Sequence, residues 1–256
     1  MKFKIAVLLL VIFLSNNSIL KSEQKYKFDQ SIYLLVGYPA GPNAEDFFNV
    51  YKKYVGGSKD EFIISPIIGV GTKFTILNNI KIGLLGYFYQ CTFRDSYGQK
   101  IFPTNESPER WVSEDLIIKN YPLFFTTEYN PYIKSQFHTY VGIGLGCNFG
   151  KINWNEAVSS PEPADKRIGG PLVHESTYSF ISRFYLGMEL GFDKRTRKYL
   201  LGGLIFEAAY VYDSRRIDMF EKLYPQFYVA HEELKDKYPI IPGIFELSMA
   251  VSLVFR

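Results

Sequence analysis

From residue 243 to its end the chain reads GIFELSMAVSLVFR, and the side chains alternate. Phe245, Leu247, Met249, Val251, Leu253 and Phe255 fall on one face, with Glu246, Ser248, Ala250, Ser252 and Val254 on the other. A period of two held over this length specifies a β-strand. Six large apolar residues on one face of 13 are more than a soluble edge strand carries. The pattern recurs upstream. Leu200, Leu204, Phe206, Tyr210 and Tyr212 oppose Gly203, Glu207 and Ala209. Tyr178, Phe180, Phe184, Leu186, Met188, Leu190 and Phe192 oppose Thr177, Ser179, Arg183, Gly187 and Glu189. Phe137, Val141, Ile143, Leu145 and Phe149 oppose Gln136, His138, Gly142, Gly144, Gly146 and Asn148. Phe62, Ile64, Ile68, Val70, Phe74 and Ile76 oppose Ser65, Gly69, Gly71, Lys73 and Thr75. Less regular runs at 30–38, 80–93 and 114–129 bring the strands to eight. Pro122 lacks the N–H that a ladder needs and is expected to mark a bulge.

The connections alternate in length. Short turns are expected at Asn78-Asn79, near Asn130-Pro131 and at 193–198, and long connections at 39–61, 94–113, 153–176 and 213–242. An up-and-down meander with every long loop at one end gives this order. Eight such strands close as a soluble barrel with an apolar interior, or as a transmembrane barrel with an apolar exterior. Lys73, Arg183, Glu189, Glu207 and Glu246 are single charges on faces otherwise made of small residues, and the opposite faces are nearly free of charge. An Arg facing lipid at the bilayer midplane costs roughly 2–4 kcal/mol, so the charged face points inward. The fold class is therefore all-β: an eight-stranded antiparallel up-and-down transmembrane β-barrel, with four long surface loops and three short periplasmic turns. The aromatic content, 17% with 20 Tyr and 22 Phe, suits a lipid-facing wall with interfacial belts.

Residues 1–22 read as a secretory signal peptide. Lys2 and Lys4 precede the apolar run Ile5 to Leu14, and cleavage is expected after Ser18 or Ser22. A short segment, 23–29, leads into the barrel at 30–256, and no further domain is expected after the last strand. The formal charge of +3 resides in the signal, which holds Lys2, Lys4 and Lys21 and no acid. The mature chain is balanced, which removes a nucleic-acid reading.

Eight strands, alternating loop lengths and a final amphipathic strand ending in Phe255 resemble the small outer-membrane barrel superfamily of the OmpA transmembrane-domain, OmpX and OmpW type. The resemblance is architectural and departs from the usual pattern at Arg256, where an aromatic is usual. It implies outer-membrane localisation, contact with membrane lipid and lipopolysaccharide, and insertion by the barrel-insertion machinery. It carries no catalytic, metal or cofactor residue.

The inward charges are the candidate site. Arg183, Glu207 and Glu246 lie at similar heights on neighbouring strands and are expected to meet. Lys73 and Glu189 lie nearer the short turns and are expected to form a second group. The cluster reads either as a structural plug or as the gate of a narrow solute path. The glycines of GIGLG are expected to leave room for large side chains rather than to cradle a nucleotide. Cys91 and Cys147 are expected unpaired, both facing lipid. A lipid-modifying enzyme would want His and Ser two apart, whereas the chain has His138-Thr139-Tyr140, with His174 and His231 in loops. The loops are rich in aromatics, FFNVYKKYV in the first and Met219, Phe220, Leu223, Tyr224, Phe227 and Tyr228 in the fourth. These either pack among the loops or offer a contact surface for a host molecule or surface ligand.

Overall fold

A computed structural model describes residues 30–41, 44–55, 59–77, 79–100, 109–134, 137–158, 173–192, 201–223, 234 and 237–255. The expected signal, 1–22, and the 23–29 segment lie outside them. The strands are β1 (Gln30–Ala40), β2 (Lys59–Ile64), β3 (Ile67–Leu77), β4 (Ile80–Lys100), β5 (Glu109–Lys134), β6 (Phe137–Val158), β7 (Val173–Gly191), β8 (Leu201–Asp213) and β9 (Ile244–Phe255). Two helices lie in the long connections, α1 (Glu45–Val55) and α2 (Met219–Leu223).

Every pairing is antiparallel, in the order β2-β4-β3-β1-β9-β8-β7-β6-β5, and β4 pairs β5 to close the ring. β1 and β3–β9 make the closed wall. Directly opposed residues run from Asp213 through Ile181, Gly146, Phe124, Leu85, Gly71, Tyr33 and Ser252 to Gly203. One circuit thus returns to β8 ten residues lower, from 213 to 203. A shear of this size tilts the strands, typically by 35–45°, and leaves an interior that side chains fill.

Leu34, Val36, Ile68, Val70, Leu84, Leu123, Phe125, Val141, Ile143, Leu145, Phe184, Leu186, Leu247 and Met249 stand exposed around the outside. Soluble monomers rarely expose so continuous an apolar surface. A bilayer accepts it, and the barrel is transmembrane.

Several details differ from the sequence expectation. The run expected as one strand at 62–76 breaks at Ser65-Pro66. Ile64 opposes Cys91 while Ile68 opposes Phe88, so one extra residue is inserted, as in a bulge. Ser65 repairs the ladder beside the proline: its N–H donates to the Gln90 carbonyl (2.9 Å), and Gln90 N–H donates to Ser65 Oγ (2.8 Å). The extra residue reverses the faces, so Ile63 points outward and Ile64 packs against the core. Pro122 makes no bulge. β4–β5 pairing lapses there and resumes in the same register, with Gly86 opposite Leu123 and Tyr89 opposite Asn120. Cys91 faces inward and is buried, because the inner parity of β4 runs Leu85, Tyr87, Tyr89, Cys91, Phe93; Cys147 is exposed, and both are free.

The wall has unequal height. β4, β5, β6 and β7 are 21, 26, 22 and 19 residues long, while β1, β8 and β9 have 11, 13 and 12. The connections expected at 94–113 and 153–176 shorten accordingly, to 101–108 and 159–172. About 9–11 residues span a bilayer as a tilted strand, so the long strands rise beyond it as a sheet that β2 extends.

Candidate functional site in the barrel interior

At membrane height the lumen is filled by ionised side chains from five strands. Arg183 of β7, 1% exposed, donates through Nε to Glu246 Oε1 of β9 (2.5 Å) and through Nη2 to Glu207 Oε2 of β8 (2.8 Å). Its Nη2 also pairs with Glu246. Glu207 Oε1 accepts from Tyr140 Oη of β6 (2.7 Å) and Lys73 Nζ of β3 (3.3 Å). Lys73 Nζ pairs in turn with Glu128 Oε1 of β5 (2.6 Å). Sign alternates along the chain Glu246, Arg183, Glu207, Lys73, Glu128, which crosses the lumen. Buried charges persist when each has a partner at good geometry, and here neighbouring links share Arg183, Glu207 and Lys73.

Aromatic rings enclose the two cations. Lys73 Nζ lies 4.8 Å from the Tyr33 ring centroid and 4.5 Å from that of Tyr140, and the Arg183 guanidinium lies 4.4 Å from that of Tyr185. Each tyrosine lies flat because a glycine stands directly opposite. Tyr140 opposes Gly187 and Tyr185 opposes Gly142, a reciprocal pair built from the repeated pattern Tyr-x-Gly on β6 and β7. A Cβ at Gly142 would lie 2.3 Å from Tyr185 Cζ, and one at Gly187 2.5 Å from Tyr140 Cζ. Within GIGLG, Gly142 therefore makes room for an aromatic ring.

Arg183, Glu207 and Glu246 come together. The second group differs from the expectation: Lys73 joins the main cluster, and Glu189 bonds Lys81 Nζ of β4 (3.1 Å) and Ser252 Oγ (3.4 Å). Counting residues from the turns ignores the shear, which displaces heights from strand to strand. The sequence reading missed Glu128 and Lys81. Glu128 had a legible signal, because Thr126, Glu128 and Asn130 alternate with Phe125, Thr127 and Tyr129.

Above the ions the filling changes. Arg215, just past β8, donates to Asn120 Oδ1 (2.7 Å), Asp213 Oδ2 (3.2 Å) and Thr177 Oγ1 (2.6 Å), and Asn148 Nδ2 donates to Asn120 and Asp213 (2.9 Å each). This ties the fourth long connection to the tall wall. An apolar plug sits above it. Phe47 of α1 stacks on Tyr51 (5.7 Å between centroids) and meets Phe220 (5.0 Å) and Trp154 (6.4 Å), while Phe48 stacks on Phe93 (4.7 Å). Phe47, Tyr51, Met219 and Phe220 are buried. These described loop aromatics pack inward; the side chains of Tyr54, Leu223, Tyr224, Phe227 and Tyr228 lie outside the described residues. His138 stands opposite Glu189, and His174 Nδ1 contacts Asn153 Oδ1 (3.1 Å) on the surface.

A closed, tilted ring of eight antiparallel strands, apolar outside and filled with side chains inside, is a small transmembrane β-barrel. The chain matches no protein-family model and no curated protein. Among solved structures it is similar to Neisserial surface protein A, at 10% identity and a TM-score of 0.40, covering 89% of this chain and 96% of that one. It is similar to the outer membrane protein OprG from Pseudomonas aeruginosa, at 9% and 0.37, covering 91% and 99%. It is also similar to the attachment invasion locus protein of Yersinia pestis in complex with the heparin analogue sucrose octasulfate, at 11% and 0.34, covering 89% and 100%. The barrel is defined by its own closed register and apolar belt, not by these likenesses.

Proposed function

We propose that the protein is an integral outer-membrane barrel that acts as a sealed anchor presenting its tall sheet and loops at the cell surface, and not as a solute path. The observation that carries this reading is the double filling of one lumen, ionic below and aromatic above. An anchor needs only the apolar belt and a rigid wall, whereas a pore needs a continuous polar passage. The tall sheet adds area outside the bilayer, where membrane lipid, lipopolysaccharide or another surface molecule is met. Export by the N-terminal signal and insertion by the barrel machinery are part of the same reading.

The test is conductance of refolded protein in planar bilayers, with folding checked by the shift in gel migration on boiling. Folded protein without stepwise conductance is expected. Stable single-channel steps would replace the anchor reading with that of a small-solute pore.

A further inference from the structure

We propose that Lys119 of β5 and Lys151 of β6 hold the phosphate of a membrane-lipid headgroup on the outer face of the wall. On β6 the exposed apolar side chains of that face run from Val141 to Phe149, about the 9–11 residues that span a bilayer. The next outward position is the exposed Lys151. On β5 the belt ends in the same way: Phe125, Leu123 and Tyr121 are exposed, and the half-buried Lys119 follows on that face. Both strands change character at one level, because Tyr121 opposes Phe149 and Lys119 opposes Lys151. The aromatic row extends to either side, with Tyr178 opposite Phe149 and the Phe88 ring 5.1 Å from that of Tyr121. Rows of aromatics mark the boundary between the apolar core of a bilayer and its headgroups. The lysine pair thus stands at headgroup level, on the side of the long connections.

Directly opposed residues share a face, with Cβ atoms about 4.5–5.5 Å apart, and like charges so placed repel. Elsewhere in the wall cations meet acids, as Lys81 meets Glu189 and Arg94 meets Asp115. Among the described residues no acid is bonded to Lys119 or Lys151. The described acids around the pair are engaged elsewhere: Asp115, on the same face, with Arg94, and Glu175, next to Ser176, with Lys222. The row is completed by two neutral residues, Gln90 opposite Lys119 and Ser176 opposite Lys151. An anion between the two ammonium groups removes their repulsion, and lysine binds phosphate as a point charge. Phosphate is the anion that lipid headgroups present at this level, and the rings below lie along the acyl chains of the same lipid. The proposal rests on the anchor reading, which places this end of the barrel in the surface leaflet.

The full chain, refolded in non-ionic detergent, is titrated with diphosphoryl lipid A and, in parallel, with the same lipid stripped of its phosphates. Bound lipid is counted by native mass spectrometry. Preferential binding of the phosphorylated form is expected. Lys119→Gln should weaken it about fivefold, as loss of one lysine at an anionic lipid surface does, and the double variant with Lys151→Gln about tenfold or more. Lys237→Gln makes the same charge change at an exposed lysine of the fourth long connection and should leave binding unchanged. If Lys119→Gln loses the heat-dependent gel shift, Lys151→Gln is read in its place. Equal binding of the two lipid forms, or equal weakening by Lys119→Gln and Lys237→Gln, would overturn the proposal. So would displacement of the lipid by excess inorganic phosphate, which would reassign the pair to a free anion. Conductance of the same refolded protein decides the anchor reading separately.

Discussion

The lower and upper halves of the interior fill one lumen by opposite means. The lower half uses directional bonds between strands distant in sequence: Lys73 meets Glu207, and Arg183 meets Glu246. The upper half uses aromatic contacts without strict direction, between a helix in a loop and the wall. The difference follows from what lies outside. At membrane height the wall is a complete ring, and each inward side chain has a fixed place in the register. Above it β1, β8 and β9 have ended, so the filling comes from connecting segments folded against the tall sheet. Ionic filling therefore depends on the whole barrel, and aromatic filling on one face and two connecting segments.

The largest expected effect comes from Arg183→Ala. It leaves Glu207 and Glu246 buried, Glu246 without the cation it bonds, a loss on the order of 3–5 kcal/mol when one partner of a buried pair is removed. Urea unfolding of refolded protein, followed by heat-dependent gel migration, measures it. Because the aromatic plug stands in series, Arg183→Ala alone should not conduct. Arg183→Ala combined with Phe47→Ala should. Conductance from the first change alone would show that the upper filling does not seal.

Phe47→Ala comes next. Truncating a fully buried Phe costs about 3–5 kcal/mol in a closed core, and Phe47 is 1% exposed. A plug resting on one wall can open locally without unfolding the ring. Trypsin should therefore cleave sooner at Lys52 or Lys53 of α1, while the gel shift on boiling stays as in the unmodified chain. Loss of that shift would mean that the plug and the barrel unfold together.

The same division governs how much could be read from sequence. Within the membrane the outer face must be apolar, so alternation was plain, and it gave the strand count, the inward side and three members of the ionic cluster. Beyond the membrane both faces of a strand are free to be polar. There polar and charged side chains on both faces erased the pattern, and 94–100, 109–113 and 153–158, the upper parts of β4, β5 and β6, read as loops. Glu128 lies in the membrane half of its strand, where Thr126, Glu128 and Asn130 alternate with Phe125, Thr127 and Tyr129, but the polar half beyond Pro122 made the strand as a whole irregular. The Cys91 face was misjudged because the upper interior is apolar, so an apolar side chain there does not mark the lipid side. The bulge at Ser65-Pro66 shifted the faces of β2, which only register reveals.

The smallest expected effect lies on the outer face of the tall sheet, at the Arg94–Asp115 pair. Its geometry is good, 2.8 Å, yet Arg94 is 48% exposed and Asp115 32%. Exposed pairs contribute about 0–1 kcal/mol and weaken with salt. Asp115→Asn should therefore change urea stability by less than about 1 kcal/mol at physiological salt, and the residual difference should shrink at high salt. Side by side with Arg183→Ala, this sets an exposed Arg–carboxylate contact against a buried one. A loss at Asp115 comparable to that at Arg183 would mean that the tall sheet is as integral to the ring as the membrane half, and the contrast between the two regions would fail.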